Sequence, residues 1–201
     1  MKSMRDLEGQ LLIAGRLSGK TTFQSVLNRT NDYQSFNSKL DGVDLAKLDS
    51  SDKTAIYKKM NNNFESIQQA MKQTGANLVT AQIEAQNRFN MAKTPSPTDT
   101  ALIPLLAGKT KQELLESAYQ SDAIARVLCG PAGVAVGLDA KSIDSLGAYA
   151  APDAYAHLKE VESELETLIS LKGTFDQARI GEQTRLQPSD TQSKVAKALD
   201  D

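Results

Sequence analysis

Between Asp52 and Lys93, apolar and small side chains return at alternating intervals of four and three: Met60, Phe64, Ile67, Met71, Thr74, Leu78, Ala81 and Ala85. That alternation is the heptad seam of a coiled coil or a long bundle helix. An unbroken helix over this span would reach about 60 Å at 1.5 Å per residue. Gly75, close to Asn77, is the one place where it could divide into two helices. The heptad phase crosses the glycine unchanged, which predicts continuity. The seam is soft, built on Met, Phe and Ala rather than Leu and Ile. It reads first as a core stripe inside the chain's own bundle, and second as a stripe for a partner or another copy.

Composition agrees with helix. Val and Ile are few, Ala, Leu, Gln, Ser and Lys are plentiful, and Trp is absent. Strands favour β-branched and aromatic residues, whereas Ala, Leu, Gln and Lys are good helix formers. The expected fold is all-α: an elongated helical bundle or coiled-coil hairpin with a second helical unit. "TPSPTDT" at 94–100 holds two prolines that stop a helix, and it divides the chain. The expected parts are an N-terminal hairpin over 1–93, a linker over 94–100, a C-terminal helical unit over 101–187 and a polar tail over 188–201. A short amphipathic turn at Val195 to Leu199 is expected in that tail.

Local signals place the other helices. Ser3 caps a first helix with Asp6 at the box position and Met4, Leu7, Leu11 and Ala14 on one face. A second helix carries Phe23, Val26, Leu27, Thr30 and Tyr33. Ser50, Ser51 and Asp52 are the candidate caps of the long helix. A single helix is expected from Lys111 to Leu128, with Leu114, Leu115, Ala118, Ile124, Val127 and Leu128 inward. Another is expected from Pro152 to Lys172, with Tyr155, Leu158, Val161, Leu165, Leu168 and Leu171 as its stripe. Proline at its first position and Gly173 beyond its end fit that frame.

"LLIAGRLSGKTT" resembles a phosphate loop. In that motif backbone amides wrap the phosphates and a lysine reaches the terminal ones. The strict pattern has glycine where this chain has Ala14, so only a relaxed form over 14–21 matches, with Gly19, Lys20 and Thr21 as its nucleotide-binding residues. A phosphate loop also needs a buried parallel strand and crossover units behind it. Beyond "QLLIAG" and "GVAVGLD", nothing supplies such strands. "LLAGKTKQELL" repeats Gly-Lys-Thr at 108–110, where Thr110 caps a helix with Glu113 three residues on. The first copy has the same grammar, Gly19 ending one helix and Thr21 capping the next with Gln24. Capping is the preferred reading of both.

Few other residues could carry chemistry. Cys129 is the sole cysteine, so no intramolecular disulfide forms. It falls at the end of its helix, where the dipole disfavours a thiolate, and it reads as an inert core residue. His157 is the sole histidine, so neither a multi-histidine metal site nor a Ser-His-Asp set can be assembled. Glu160, Glu162, Glu164 and Glu166 read as hydrated helix faces. Basic residues are scattered, Lys58-Lys59 beside "NNN" being the densest cluster with a polar setting. No arginine-aromatic interleaving of the kind that stacks bases occurs.

The formal charge of −2, with both signs interspersed, points to neither nucleic acid nor an anionic membrane. No stretch is apolar enough to span a bilayer, and "MKSMRDLEGQLLIAG" is too charged and too briefly apolar for a secretory signal. The expectation is a protein made in the cytoplasm, with export lacking a cleaved signal left open. The expected role is non-enzymatic, without cofactor, metal or small-molecule substrate: a structural, adaptor, scaffold or chaperone-like component that binds a protein partner or itself. Candidate interface residues are Met60, Phe64, Ile67, Met71 and Leu78 on the seam, with Val134, Val136 and Leu138 in the glycine- and alanine-rich stretch 130–151. The alternative is a small nucleotide-binding protein using residues 14–21.

Overall fold

The computed structural model describes residues 3–18, 21–44 and 47–186, with only the backbone described at 17, 18, 185 and 186. The expected tail, with its turn at Val195 to Leu199, lies outside the described residues. Every regular element described is a helix: α1 (Met4–Ser18), α2 (Gln24–Ser38), α3 (Ser50–Ala92), α4 (Pro97–Thr100), α5 (Ile103–Leu106), α6 (Lys111–Ala118), α7 (Asp122–Leu128), α8 (Pro131–Ala135), α9 (Ala140–Ala150) and α10 (Pro152–Leu186). The all-α fold is therefore observed, and α3 runs through Gly75 as one helix. The chain forms two compact units, one of Met1–Asn77 with Leu165–Asp201, the other of Leu78–Glu164. That division differs from the expected boundary at 94–100, because α3 and α10 each contribute residues to both units.

The first unit is built from α1, α2, the early part of α3 and the late part of α10. Ser3 and Asp6 form the expected box: the Asp6 amide donates to Ser3 Oγ (3.3 Å) and the Ser3 amide to Asp6 Oδ2 (2.6 Å). Met4, Leu7 and Leu11 are buried on the inner face of α1. The cap expected of Thr21 is not formed. Phe23 occupies the N-cap of α2 without a side-chain bond, and the Gln24 amide donates instead to the Thr21 carbonyl at 2.9 Å. Phe23 is itself buried, so apolar burial rather than a hydroxyl fixes this corner. At α3 the cap falls one residue before the expected trio, where Asp49 Oδ1 accepts from the Asp52 amide at 2.8 Å.

Aromatic rings link three helices of this unit. Tyr33 of α2 stacks on Phe64 of α3 with centroids 5.1 Å apart, and Phe64 meets Phe175 of α10 edge-on at 6.1 Å. Thr174 Oγ1 donates to Gln10 Oε1 (2.9 Å), joining α10 to α1. The expected end of α10 at Gly173 is wrong, since the helix continues to Leu186. Phe175 and Ala178 are buried beyond the glycine. Burying a phenylalanine contributes about 1.5–3 kcal/mol, more than the roughly 1 kcal/mol that glycine costs inside a helix.

The second unit packs α4 to α9 with the late part of α3 and the early part of α10. Its core gathers Leu106, Leu114, Ala118, Leu128, Leu138 and Leu146, with smaller side chains between them. Thr110 caps α6 as expected, in a reciprocal box with Glu113. The single helix expected over Lys111 to Leu128 is two helices, with Ser121 at the N-cap of α7. The 94–100 segment is only partly a linker: Ser96 and Asp99 form a capping box that starts α4. Asp99 is 6% exposed, and its carboxylate accepts from Arg126 Nε at 2.9 Å, which ties α4 to α7. Phe89 of α3 and Tyr155 of α10 face each other at 5.5 Å.

Candidate functional site

Among the described residues no sheet lies behind the relaxed phosphate loop. Ala14 lies within α1, and "GVAVGLD" forms the end of α8 and a turn, so both stretches that could have been strands are not. Gly19 and Lys20 lie outside the described residues, and Thr21 is exposed.

Six of the eight candidate interface residues are interior. Met60, Phe64, Ile67 and Met71 are buried in the first unit, and Leu78 and Leu138 in the second. The seam is covered by the chain's own helices, the arrangement that the first of its two readings, a core stripe, describes. Val134 at 65% and Val136 at 39% exposure are the two that reach the surface.

A different apolar surface lies between α3 and α10 of the first unit. Met71, Gly75, Leu168, Ile169 and Phe175 line a groove of about 220 Å³, and Lys72 and the Lys172–Asp176 pair (2.8 Å) also border it. Its floor is core and its lip is exposed: Phe175 is 1% accessible, whereas Ile169 is 71% accessible. A side chain on Gly75 would come within 3.3 Å of Leu168 Cδ2, so the glycine keeps this part of the groove open. Sequence reasoning missed the groove. Ile169 lies outside the apolar stripe of its helix, and that exposed position was its only signal.

A second, polar cleft of about 410 Å³ lies between α2 and α3, where Arg29 and Lys39 face Lys59 and Asn63. On α3 its residues sit one position behind the core stripe: Lys59, Asn63 and Ser66 precede the buried Met60, Phe64 and Ile67. Lys59 belongs to the basic pair visible in the sequence, but its partners on α2 could not be found from local pattern.

The remaining candidates carry no assembled chemistry. Burial pushes the Cys129 thiol up from its ordinary value, and its Sγ donates towards the Arg126 and Lys93 carbonyls at 3.3 and 3.5 Å. That matches an inert core cysteine. His157 is exposed, with Nδ1 3.7 Å from Glu160. Glu164 departs from the expected hydrated face, being 8% exposed where Leu165 is only half-buried. The buried series Leu158, Val161, Glu164, Leu168, Leu171, Phe175 and Ala178 explains this, since its three-four steps pass through 164. Hydrogen bonds from Arg126 and from the Ser96 backbone hold the Asp99 carboxyl down at about 2. Among the described residues no group of three or more His, Cys, Asp and Glu side chains could hold a metal. No described helix is long and apolar enough to cross a membrane.

The chain matches no family model, no curated protein and no solved structure.

Proposed function

We propose that this protein is a non-enzymatic interaction component, a structural or adaptor part of a larger assembly, that binds another protein through the groove between α3 and α10. The observation that carries the reading is the position of Ile169, 71% exposed at the lip of an apolar groove whose floor is Phe175 and Leu168. An amphipathic helix is the segment such a groove suits, because its apolar face can lie between two helices with anchors at three- and four-residue spacing. Lys72 and the Lys172–Asp176 pair supply a charged border, in keeping with the polar rim that surrounds an interface core. Val134 and Val136 in the second unit add a smaller exposed apolar feature that is tested separately.

The test is affinity capture from the native host with the wild-type chain and with Ile169→Glu, alongside sedimentation over a concentration series. Ile169 is solvent-exposed, so the variant is expected to keep its helix content and thermal midpoint. The expected result is a stoichiometric partner, or self-association, that the wild type shows and Ile169→Glu loses. A monomer at all concentrations with no partner, or a partner held equally by both chains, overturns the assignment to this groove. Val134→Glu serves as the matched control in the other unit.

A further inference from the structure

We propose that the cleft between α2 and α3 is a binding site for a phosphate monoester, with the phosphate held by Arg29, Lys39 and Lys59 and an adjoining flat apolar group against Phe36. The cleft is lined by these three cations and a single carboxylate, Asp32, in a protein whose formal charge is −2. Asp32 is engaged with Arg29 at 3.4 Å. An arginine carries five N–H donors, so that one contact leaves most of its fork available. Lys39 and Lys59 make no ion pair among the described residues. Their charges have therefore not been spent on holding the bundle together.

The neutral lining adds further donors. Ser35 on α2 and Ser66 on α3 bring hydroxyls to the same space. Asn63 Nδ2 is buried and makes no hydrogen bond, an unfavourable state for a polar group. A small side-chain rotation towards an oxyanion in the cleft would relieve it. A tetrahedral dianion can accept from cations, hydroxyls and an amide at once. A carboxylate has two oxygens and uses fewer of them, which favours a phosphate over an acidic side chain. The volume of about 410 Å³ is that of a small-molecule site. Phe36, half-buried in the wall and 6.3 Å from the Tyr33 ring, offers the apolar face.

The experiment is an amide-resolved NMR titration of the full chain at low salt with phenyl phosphate, inorganic phosphate, benzoate and phenol. The expected result is saturable shifts confined to residues 29–39 and 59–66, with phenyl phosphate binding below about 1 mM and more tightly than inorganic phosphate. Phenol is expected to leave those amides unmoved. Lys39→Gln and Lys59→Gln are each expected to weaken phenyl phosphate roughly tenfold, in line with the loss of one charge-assisted bond. Both lysines are exposed, so unchanged circular dichroism and thermal midpoint will show that the variants stay folded. Absence of saturable binding overturns the proposal. So does benzoate binding as tightly as phenyl phosphate, which would mark an acidic-peptide site, or an affinity indifferent to both substitutions. The groove of the other reading is not part of this cleft, so Ile169→Glu should titrate as wild type.

Discussion

Gly133 in α8 is placed where no other residue fits. A methyl group there would overlap the carbonyl oxygen of Leu128, and the Gly133 carbonyl accepts from the Leu138 amide at 2.9 Å. Backbone rather than a flexible side chain is in the way, so Gly133→Ala should destabilise the protein by about 1–3 kcal/mol or more, read as a lower urea midpoint. Asp99 makes a pH-dependent prediction. Its folded carboxyl titrates near 2 against an ordinary value of 3.8, so it stabilises the fold fully above 3.8 and loses that contribution as pH falls through about 2. Asp99→Asn should therefore be less stable than the wild type at neutral pH, and the gap should close in acid. A gap that persists unchanged at pH near 2 would show that the charge is not responsible. At this scale the sequence was legible where partners are close in the chain. Ser3 with Asp6 and Thr110 with Glu113 are boxes written in four residues, whereas Asp99 and Arg126 are 27 positions apart and no local pattern pairs them.

At the scale of the helix, periodicity was a reliable guide to which face is apolar and a poor one to where elements stop. Seven of the eight seam positions in α3 are buried, and only Ala81 is partly exposed. The pattern could not say what would cover that face, so a partner stripe stood second to the core stripe that the structure shows. The groove with Ile169 escaped for the opposite reason: an isolated exposed isoleucine is ordinary, and only the neighbouring helix turns it into part of a surface. Boundaries failed where tertiary burial outweighed a local rule. The sequence "YQSD" splits α6 from α7 although the apolar spacing runs on, and Phe175 draws α10 past Gly173. The glycine offers a direct test. It sits inside α10 with open space around its position for a methyl group, so Gly173→Ala should stabilise the protein by about 1 kcal/mol through helix propensity. A lowered thermal midpoint would contradict that placement.

The whole molecule is threaded so that one unit is continuous in sequence and the other is not. Contacts of α7 with α4, α6, α8 and α9 close short stretches of chain. In the first unit, the bond from Thr174 to Gln10 joins residues 164 positions apart. Closing long loops costs more entropy than closing short ones, and distant contacts form more slowly. In pulsed hydrogen exchange during refolding, amides of α7 and α9 should gain protection before those of α1; simultaneous or reversed protection would contradict this order. The same threading matters on the ribosome. When α1, α2 and α3 have already emerged, Leu171 and Phe175 are still to be made, so the part of the apolar surface that α10 covers, around Phe64, stands open until then. Until α10 is complete, hydrocarbon that the finished unit buries faces water.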